Sequence, residues 1–478
     1  MKTQLAHAEP RPAPSHRPAL VVLCLAMLLS SLGTSIATVG LPALAAAFEA
    51  PIGHVQWVIL AYLLAVTVSI ISVGRLGDVT GRRRVLLVGV AMFTVASLLC
   101  AVAPWLWFLV AARALQGLGA AMMMALSTAL VADALPRTRT GSAMGLLGTT
   151  SAIGTALGPS LGGLLIAGFG WRMLFLVTVP LGVLTWGLAM RHLPSLGKEE
   201  RTRRASVDPL GTFLLAISLA AYALAVTSGR GSLGMLNVGL LIAAAIGAAL
   251  FVHVEASVVA PLVPLGLFRR PRLGAGFATS AIAATVVMAT LVIGPFHLAD
   301  ALALHPARIG LVMSIGPIVS ALCGVPAGRV VDRFGVGRAS MAGLTGMLAG
   351  AVLLSTLPMR LGVPGYAVPL GVLTAGYALF QAANNTAIMR DVGEAQRGLV
   401  AGVLNLSRNL GLITGASLMG AVFAFGTSMA PTAATRSEAA GTGTHASFAV
   451  AAALLIVALL MVIRGEARAP QLAPAREG

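Results

Sequence analysis

The chain has 478 residues, of which 58% are hydrophobic and only 10% charged, and its mean hydropathy is +0.93. That is too apolar for a water-soluble fold and places the chain among polytopic membrane proteins. The formal charge of +17 would suit a nucleic-acid binder, but the 32 basic residues gather in alternate loops between apolar runs; this is the positive-inside pattern, so the charge reports topology and no nucleic-acid partner is expected.

The first 18 residues form a tail in which Lys2, Arg11 and Arg17 stand among prolines. A signal peptide is one reading, helped by Ala43-Leu44-Ala45 downstream. The apolar run from Ala19 to Leu41 exceeds a signal core of roughly 7–15 residues, however, so a retained first span and a cytoplasmic amino terminus are expected. Apolar runs place fourteen spans at roughly 19–41, 54–74, 85–103, 106–133, 140–167, 172–191, 208–227, 235–254, 273–297, 308–327, 339–358, 364–388, 397–424 and 446–464. Each has about the 20 residues that cross a hydrocarbon core roughly 30 Å thick, where a helix satisfies its own backbone. An all-α polytopic fold follows, and the even count returns the carboxyl terminus to the cytoplasmic side. Cys24, Cys100 and Cys323 all fall inside apolar runs, so no disulfide framework is implied.

The chain repeats itself. Gly74, Asp78 and Gly81 recur as Gly328, Asp332 and Gly335 at a shift of 254, and Gly141, Gly145, Gly154, Gly158 and Gly163 recur as Gly398, Gly402, Gly411, Gly415 and Gly420 at a shift of 257. Chance matching in a glycine-rich chain is the bland alternative. The repeat divides the chain into a tail (1–18), a six-helix bundle (19–192), a basic loop (193–207), two additional spans (208–254), a connector (255–272), a second six-helix bundle (273–464) and a tail (465–478), with a substrate site expected between the bundles.

Four stretches carry chemistry. After the second span comes Gly74-Arg-Leu-Gly-Asp78-Val-Thr-Gly81-Arg82-Arg83-Arg84, with its copy carrying Asp332, Arg333 and Arg338. The glycines allow a tight turn, and Asp78 can accept hydrogen bonds from Arg82 and from the amides that open the next helix. The fourth span opens with Arg113-Ala-Leu-Gln116-Gly117, where an arginine inside a span either faces the bundle interior, with Gln116 on its face, or snorkels toward nearby Trp105 and Trp107. The fifth span holds Gly154-x-x-x-Gly158-Pro159-x-x-Gly162-Gly163, small residues for close helix approach and a proline that bends the helix. In the second half Ala416 replaces Pro159, so the bend is expected in one half only.

Together these stretches resemble the major facilitator superfamily of transporters, and the extra pair of spans resembles its fourteen-span drug:proton antiporter branch. The resemblance implies two pseudo-symmetric six-helix bundles, a conformational latch at Gly74–Arg84, and export, because the fifth-span pattern resembles the antiporter motif. Anchoring at lipid headgroups is the other reading of the latch arginines. The branch also bears an aspartate in its first span, and counting back from Leu41-Pro42 puts Gly33 there. What remains is a polar face of Ser31, Thr34, Ser35 and Thr38 at helical spacing.

No carboxylate is expected at the membrane midplane; Asp133, Asp300 and His297, near span ends, are the weak candidates for carrying a proton. The interior holds Arg113 and Arg408, the latter beside Asn405 and Asn409, and Tyr377, Gln381, Asn384 and Asn385 along one face of the twelfth span. Two guanidiniums without a buried acid leave a cavity that is positive or is satisfied by amides and carbonyls, and Arg408 with its asparagines can equally form a structural bridge. The sharper expectation is a preference for neutral, zwitterionic or anionic organic molecules over lipophilic dications. Met122, Met123 and Met124 are a soft substrate wall or ordinary packing. With no phosphate-cradling loop, no nucleophile–base pair and no metal-ligand spacing, the chain is expected to be no enzyme and to need no cofactor beyond a proton gradient. Its partners are then a small-molecule substrate and the lipid bilayer. An exporter in the cytoplasmic membrane working in exchange for protons is expected; a uniporter or importer of a metabolite is the alternative.

Overall fold

The structure is a computed structural model that describes residues 17–134, 137–193, 209–227, 234–258, 271–356, 359–390, 392, 397–429 and 435–467. Among these there is no strand. Fourteen helical stretches are long and apolar enough to cross a membrane: Pro18–Val39, Ile52–Ile70, Arg82–Ala101, Leu106–Val131, Thr149–Phe169, Met173–His192, Leu210–Thr227, Met235–Ser257, Arg272–Ala301, Pro306–Gly324, Val336–Thr356, Gly362–Arg390, Gly402–Ser428 and Arg436–Arg464. Numbered spans 1 to 14 in that order, they match the expected count, with most ends displaced by a few residues and the starts of spans 5 and 14 by nine and ten.

The turns between spans 2 and 3 and between spans 10 and 11 lie at one end of the molecule, the basic end; the opposite one is the far end. Gly81 (φ 105°) closes the helix of span 2 and caps span 3, and Gly335 (φ 83°) does the same between spans 10 and 11. Positive φ is open to glycine at no steric cost, which is why these two members of the repeat are glycine.

The second repeat is a pair of helix seams. A Cβ on Gly154 of span 5 would stand 2.7 Å from the Leu28 carbonyl of span 1, and one on Gly158 would stand 2.6 Å from Ser35 Cβ. Span 13 packs on span 9 in the same way, a Cβ on Gly415 standing 2.6 Å from Met288 and one on Gly411 running into the backbone of Ala281. In each seam a hydroxyl bonds a glycine carbonyl: Ser35 Oγ donates to the Gly154 carbonyl at 3.2 Å, and Thr285 Oγ1 donates to the Gly411 carbonyl at 3.0 Å. In lipid there is no hydrophobic force between helices, so this close backbone approach, with its dispersion and interhelical hydrogen bonds, does the holding.

At the place of the expected bend the two halves are built differently. Pro159 sits inside the continuous helix Arg137–Phe169, and at the matching place in the second half Gly415–Met419 forms a π-helical turn. A π-turn breaks the regular ladder as a proline does, without any residue type that announces it.

Spans 7 and 8 run beside span 2. Trp57 Nε1 donates to Thr227 Oγ1 at 3.0 Å near the far end, and the Ser72 and Thr212 hydroxyls share a 2.6 Å bond near the basic end. Leu215 and Phe251 of this pair pack with Leu273, Phe277, Val403 and Leu406 of spans 9 and 13. The pair therefore covers the flank where span 2 meets the second bundle.

Gly158→Val is expected to lower the thermal-unfolding midpoint of the detergent-purified protein, since overpacking costs about 1–3 kcal/mol. Gly168→Val, whose Cβ would meet nothing within 4 Å, is expected to leave it unchanged. Equal midpoints for the two variants would contradict the seam.

Candidate functional site

Arg113 lies in the second turn of span 4 and is fully buried. Its Nε donates to the Val58 carbonyl at 2.9 Å, and Nη1 donates to the Gly33 carbonyl at 3.0 Å and to Gln116 Oε1 at 2.5 Å. Gln116 Nε2 in turn donates to Ser97 Oγ at 2.7 Å, and the guanidinium lies 4.2 Å from the centre of the Tyr62 ring. The interior reading holds and the snorkelling one does not. Three acceptors and a π-face carry a charge that would cost at least about 2.5–3.5 kcal/mol in a bare span. Nη2 alone has no hydrogen-bond partner.

The position at which the resemblance expects an acid is thus an acceptor for the same arginine through its backbone. A Cβ on Gly33 would stand 2.9 Å from the Phe93 ring and 3.3 Å from the Tyr62 hydroxyl. Ring and hydroxyl occupy the space a carboxylate would need. Of the two alternatives for a buried guanidinium, Arg113 takes the one in which an amide and carbonyls satisfy it, and Arg113 and Gln116 are enclosed within the first bundle.

The polar face of span 1 is largely spent on packing. Ser31 Oγ shares a 2.6 Å bond with Ser151 Oγ of span 5, Ser35 bonds Gly154, and the buried Thr38 donates to the carbonyl of Ser35 at 2.6 Å. Thr34 stays half-buried and is the one of the three cavity candidates there that keeps access. In the methionine run, Met122 and Met123 are buried, which is ordinary packing, while Met124 is partly exposed.

In the second bundle the polar residues separate onto two faces. Tyr377 and Gln381 are half-buried and Asn385 is exposed, each one turn from the next on span 12, and Asn405 and Arg408 share an accessible face of span 13 on which Arg408 Nη2 donates to Asn405 Oδ1 at 2.9 Å. Both lie in the first two turns of span 13 from the basic end, where an accessible arginine and asparagine face water, not hydrocarbon. Asn384 departs from the expected face: it is buried, and its Nδ2 donates to the Gly276 carbonyl of span 9 at 3.1 Å. Asn409 is buried too. Neighbours on a helix point about 100° apart, and across this broad stripe that separation leaves Asn384 buried and Asn385 exposed.

At the basic end the arginines grip their own bundle. Arg82 Nη1 donates to the Ala129 carbonyl of span 4 at 3.4 Å, and Arg83 Nη2 donates to the Met190 carbonyl of span 6 at 2.7 Å. Gly74 is open, with nothing within 4 Å of an added Cβ. The side chains of Asp78 and Asp133 lie outside the described residues. In the copy, Asp332, Arg333 and Arg338 are exposed, and Arg333 lies over the Phe334 ring.

At the far end the bundles meet directly. A Cβ on Gly163 would stand 2.6 Å from the Pro306 carbonyl and 2.8 Å from Gly310 Cα of span 10, while Gly420 of span 13 is pressed against the Gln56 amide of span 2. The repeat pairs Gly163 with Gly420, and the shift of 254 carries Gln56 onto Gly310, so these are two versions of one contact. Span 5 brings three of its candidates to span 1, with Gly162 also against Val39, and turns Pro159 and Gly163 to the other bundle. The glutamine version is unusual. Gln56 is 1% exposed and neither of its amide atoms has a hydrogen-bond partner. Nearby, His297 is buried on a π-helical turn, its Nδ1 3.0 Å from Thr444 Oγ1 and its ring stacked 5.4 Å from Tyr366, while Asp300 is ion-paired with Arg436 at 2.9 Å.

Tyr62, Phe93 and Ser97 around Arg113, and Gln56 at the far end, were not singled out from the sequence. Gln56 had a usable signal, since the shift that defines the repeat puts it opposite a glycine.

A family model described as Major Facilitator Superfamily matches residues 23–416 and 273–478. The riboflavin transporter RibZ of Clostridioides difficile is 28% identical over 448 residues, 93% of this chain and 96% of that protein. The multidrug resistance protein Stp of Mycobacterium tuberculosis is 31% identical over 406 residues, 85% of this chain and 75% of that one. Among solved structures, a D-xylose-proton symporter superposes with a TM-score of 0.67 at 15% identity, over 93% of this chain and 97% of that one, a likeness of fold.

A buried amide without partners costs about 1–3 kcal/mol, and that cost is relieved when water reaches it. Gln56→Leu is therefore expected to favour the packed far end, and Gly420→Ala, which displaces the amide, to open it. Thiol labelling of Ile52→Cys from the far side should slow in the first background and quicken in the second, each by roughly 5-fold or more. Labelling that is unchanged in both would show that this contact does not hold the end closed.

Proposed function

The chain belongs to the major facilitator superfamily of transporters, and on that premise we propose that it exports small organic molecules, drug-like compounds or metabolites, across the cytoplasmic membrane in exchange for protons. It is a multi-pass membrane transporter and not an enzyme. The observation that carries the export reading is span 5. Its glycine and proline pattern resembles the antiporter motif, and the same helix presses Pro159 and Gly163 on the opposite bundle at the far end. The relative named a multidrug resistance protein supports the same direction. A relative named a riboflavin transporter favours a metabolite as cargo and keeps a uniporter or importer as the second reading. The positive-inside pattern assigns the basic end to the cytoplasm.

On this reading the packed far end is an outward gate held shut, and the accessible face of Tyr377, Gln381, Asn385, Asn405 and Arg408 meets cargo arriving from the cytoplasm. Among the described residues no carboxylate stands at that level: Glu255 is at the basic end of span 8 and Asp300 at the far end of span 9. The compartment then suits neutral, zwitterionic or anionic molecules, because a dication would lose its hydration without a counter-charge. We assign the exchanged proton to His297, which outward opening would wet. The groups around it are Asp300 in its pair with Arg436, Tyr366 across the ring stack, and Thr444 and His445 on span 14.

In everted membrane vesicles an imposed proton gradient, acid inside, should drive accumulation of an anionic or neutral fluorescent dye, and His297→Gln should remove the dependence on the gradient. Accumulation in right-side-out vesicles instead would establish uptake and overturn the export reading. Arg408→Gln should raise KM for the anionic dye roughly 10-fold, the loss of one charge-assisted contact, and leave a neutral dye little changed. An equal loss for both dyes would make Arg408 a structural bridge.

A further inference from the structure

Asn384, turned away from the accessible face, lines a half-open cavity of about 460 Å³ in the second bundle, between the basic ends of spans 9, 11, 12 and 14. Arg272, in the first turn of span 9, and Arg390, in the last turn of span 12, stand exposed at its rim. Thr279, Ser340 and Asn384 line it and are 1%, 6% and 6% exposed. The Ser340 hydroxyl makes no hydrogen bond to another described residue, and it lines the space from a residue that is itself only 6% exposed. Val336 and Gly337 also line the cavity; they form the first turn of span 11, whose leading amides have no carbonyl a turn earlier to bind. Among the described residues around it none is acidic.

We propose that this cavity binds a phosphate-bearing anion, supplied by the headgroup of an anionic phospholipid. Two guanidiniums from different helices, a free hydroxyl and a helix N-terminus are the donor set a phosphate accepts from. The wall on the remaining side decides the source. It is made by Met461 and Val462, and the same helix exposes Ile456, Val457, Leu460 and Ile463, the face a membrane helix offers to lipid. A ligand with a charged head and an apolar root fits between such a wall and the arginines, and the basic end of the spans is the level of lipid headgroups. The general attraction of basic loops for anionic lipid would act at every exposed arginine; this cavity adds buried polar groups, and that difference is what the experiment reads.

The full-length protein is reconstituted in nanodiscs of phosphatidylcholine with a minor share of phosphatidylglycerol, and retained lipid is counted by native mass spectrometry after transfer to detergent. The wild type should retain phosphatidylglycerol over phosphatidylcholine by roughly 10-fold or more, and the Arg390→Gln, Ser340→Ala double variant should lose most of that preference, two donors to a charged group being removed. Arg84→Gln with Arg191→Gln, exposed arginines at the basic end of the first bundle, is the matched control and should keep it. Equal losses in the two double variants would overturn the pocket in favour of unspecific surface attraction. Displacement of the lipid by millimolar inorganic phosphate would overturn the lipid as source and point to a soluble phosphate compound. Thermal midpoints of both variants within error of the wild type show that a lost preference is not lost folding; if the pocket variant is destabilised, Arg390→Lys serves in its place, keeping the charge and losing the fork, with a smaller loss expected and no loss counting against the site.

Discussion

Everything in this molecule hangs on helices that touch backbone to backbone. In water, two amphipathic helices are pushed together by the apolar surface they hide, but a lipid tail is as apolar as leucine, so that push is missing between spans. What replaces it is proximity. Gly154 and Gly158 let span 5 settle onto span 1, Gly411 and Gly415 let span 13 settle onto span 9, and one hydroxyl in each seam bonds a glycine carbonyl. The same two helices then reach across the molecule through Gly163 and Gly420. Each is thus fixed to its own bundle at one set of glycines and rests on the other bundle at another. A helix so placed is bonded into the first and only touches the second.

The buried arginine follows from the same geometry. Arg113 can be held without an anion because Gly33 brings the backbone of span 1 close enough to accept from it, while Tyr62 offers its ring and Gln116 its amide. A side chain at position 33 would push back the Phe93 ring and the Tyr62 hydroxyl. The glycine and the missing acid are one fact seen twice: the backbone carbonyl does the accepting, and the room for a carboxylate is filled. The open polar chemistry is left to the second bundle, where Arg408 and Asn405 lie on an accessible face.

How much of this could be read beforehand depended on whether a residue type encoded it. Span number, the two positive-φ turns at Gly81 and Gly335, the paired seams and the interior placement of Arg113 were legible, because hydropathy, glycine and a lone charge in an apolar run each have few structural explanations. The π-turn at Gly415–Met419 was not, since no proline marks it and its one glycine is already explained by the close approach to span 9. The polar face of span 1 was over-read: serine and threonine at helical spacing look the same whether they bond a ligand or a neighbouring helix, and Ser31 and Ser35 bond span 5. Asn384 fits the same broad helical stripe as Tyr377, Gln381 and Asn385 in the sequence, and spacing alone does not say which edge of that stripe is buried. In the sequence the basic-end cavity is invisible, because its lining comes from four spans far apart along the chain.

The two halves are most informative where they differ. On one flank, glycine meets glycine at Gly163 and Gly310; on the other, Gly420 meets Gln56, with an amide that no neighbour satisfies. The flank with the glutamine is the one that spans 7 and 8 cover, through Trp57 and Thr227 and through Gly53, on which a Cβ would stand 2.7 Å from the Thr227 carbonyl. That cover shuts out the lipid and the water, and by shutting out water it strands the amide. An uncovered glutamine at the same place would find a solvent partner and cost little. The additional spans therefore do more than lengthen the chain. They turn a position that would be neutral into one whose burial is unfavourable, and a closed end that includes such a position opens at lower cost than one sealed by glycines on both flanks.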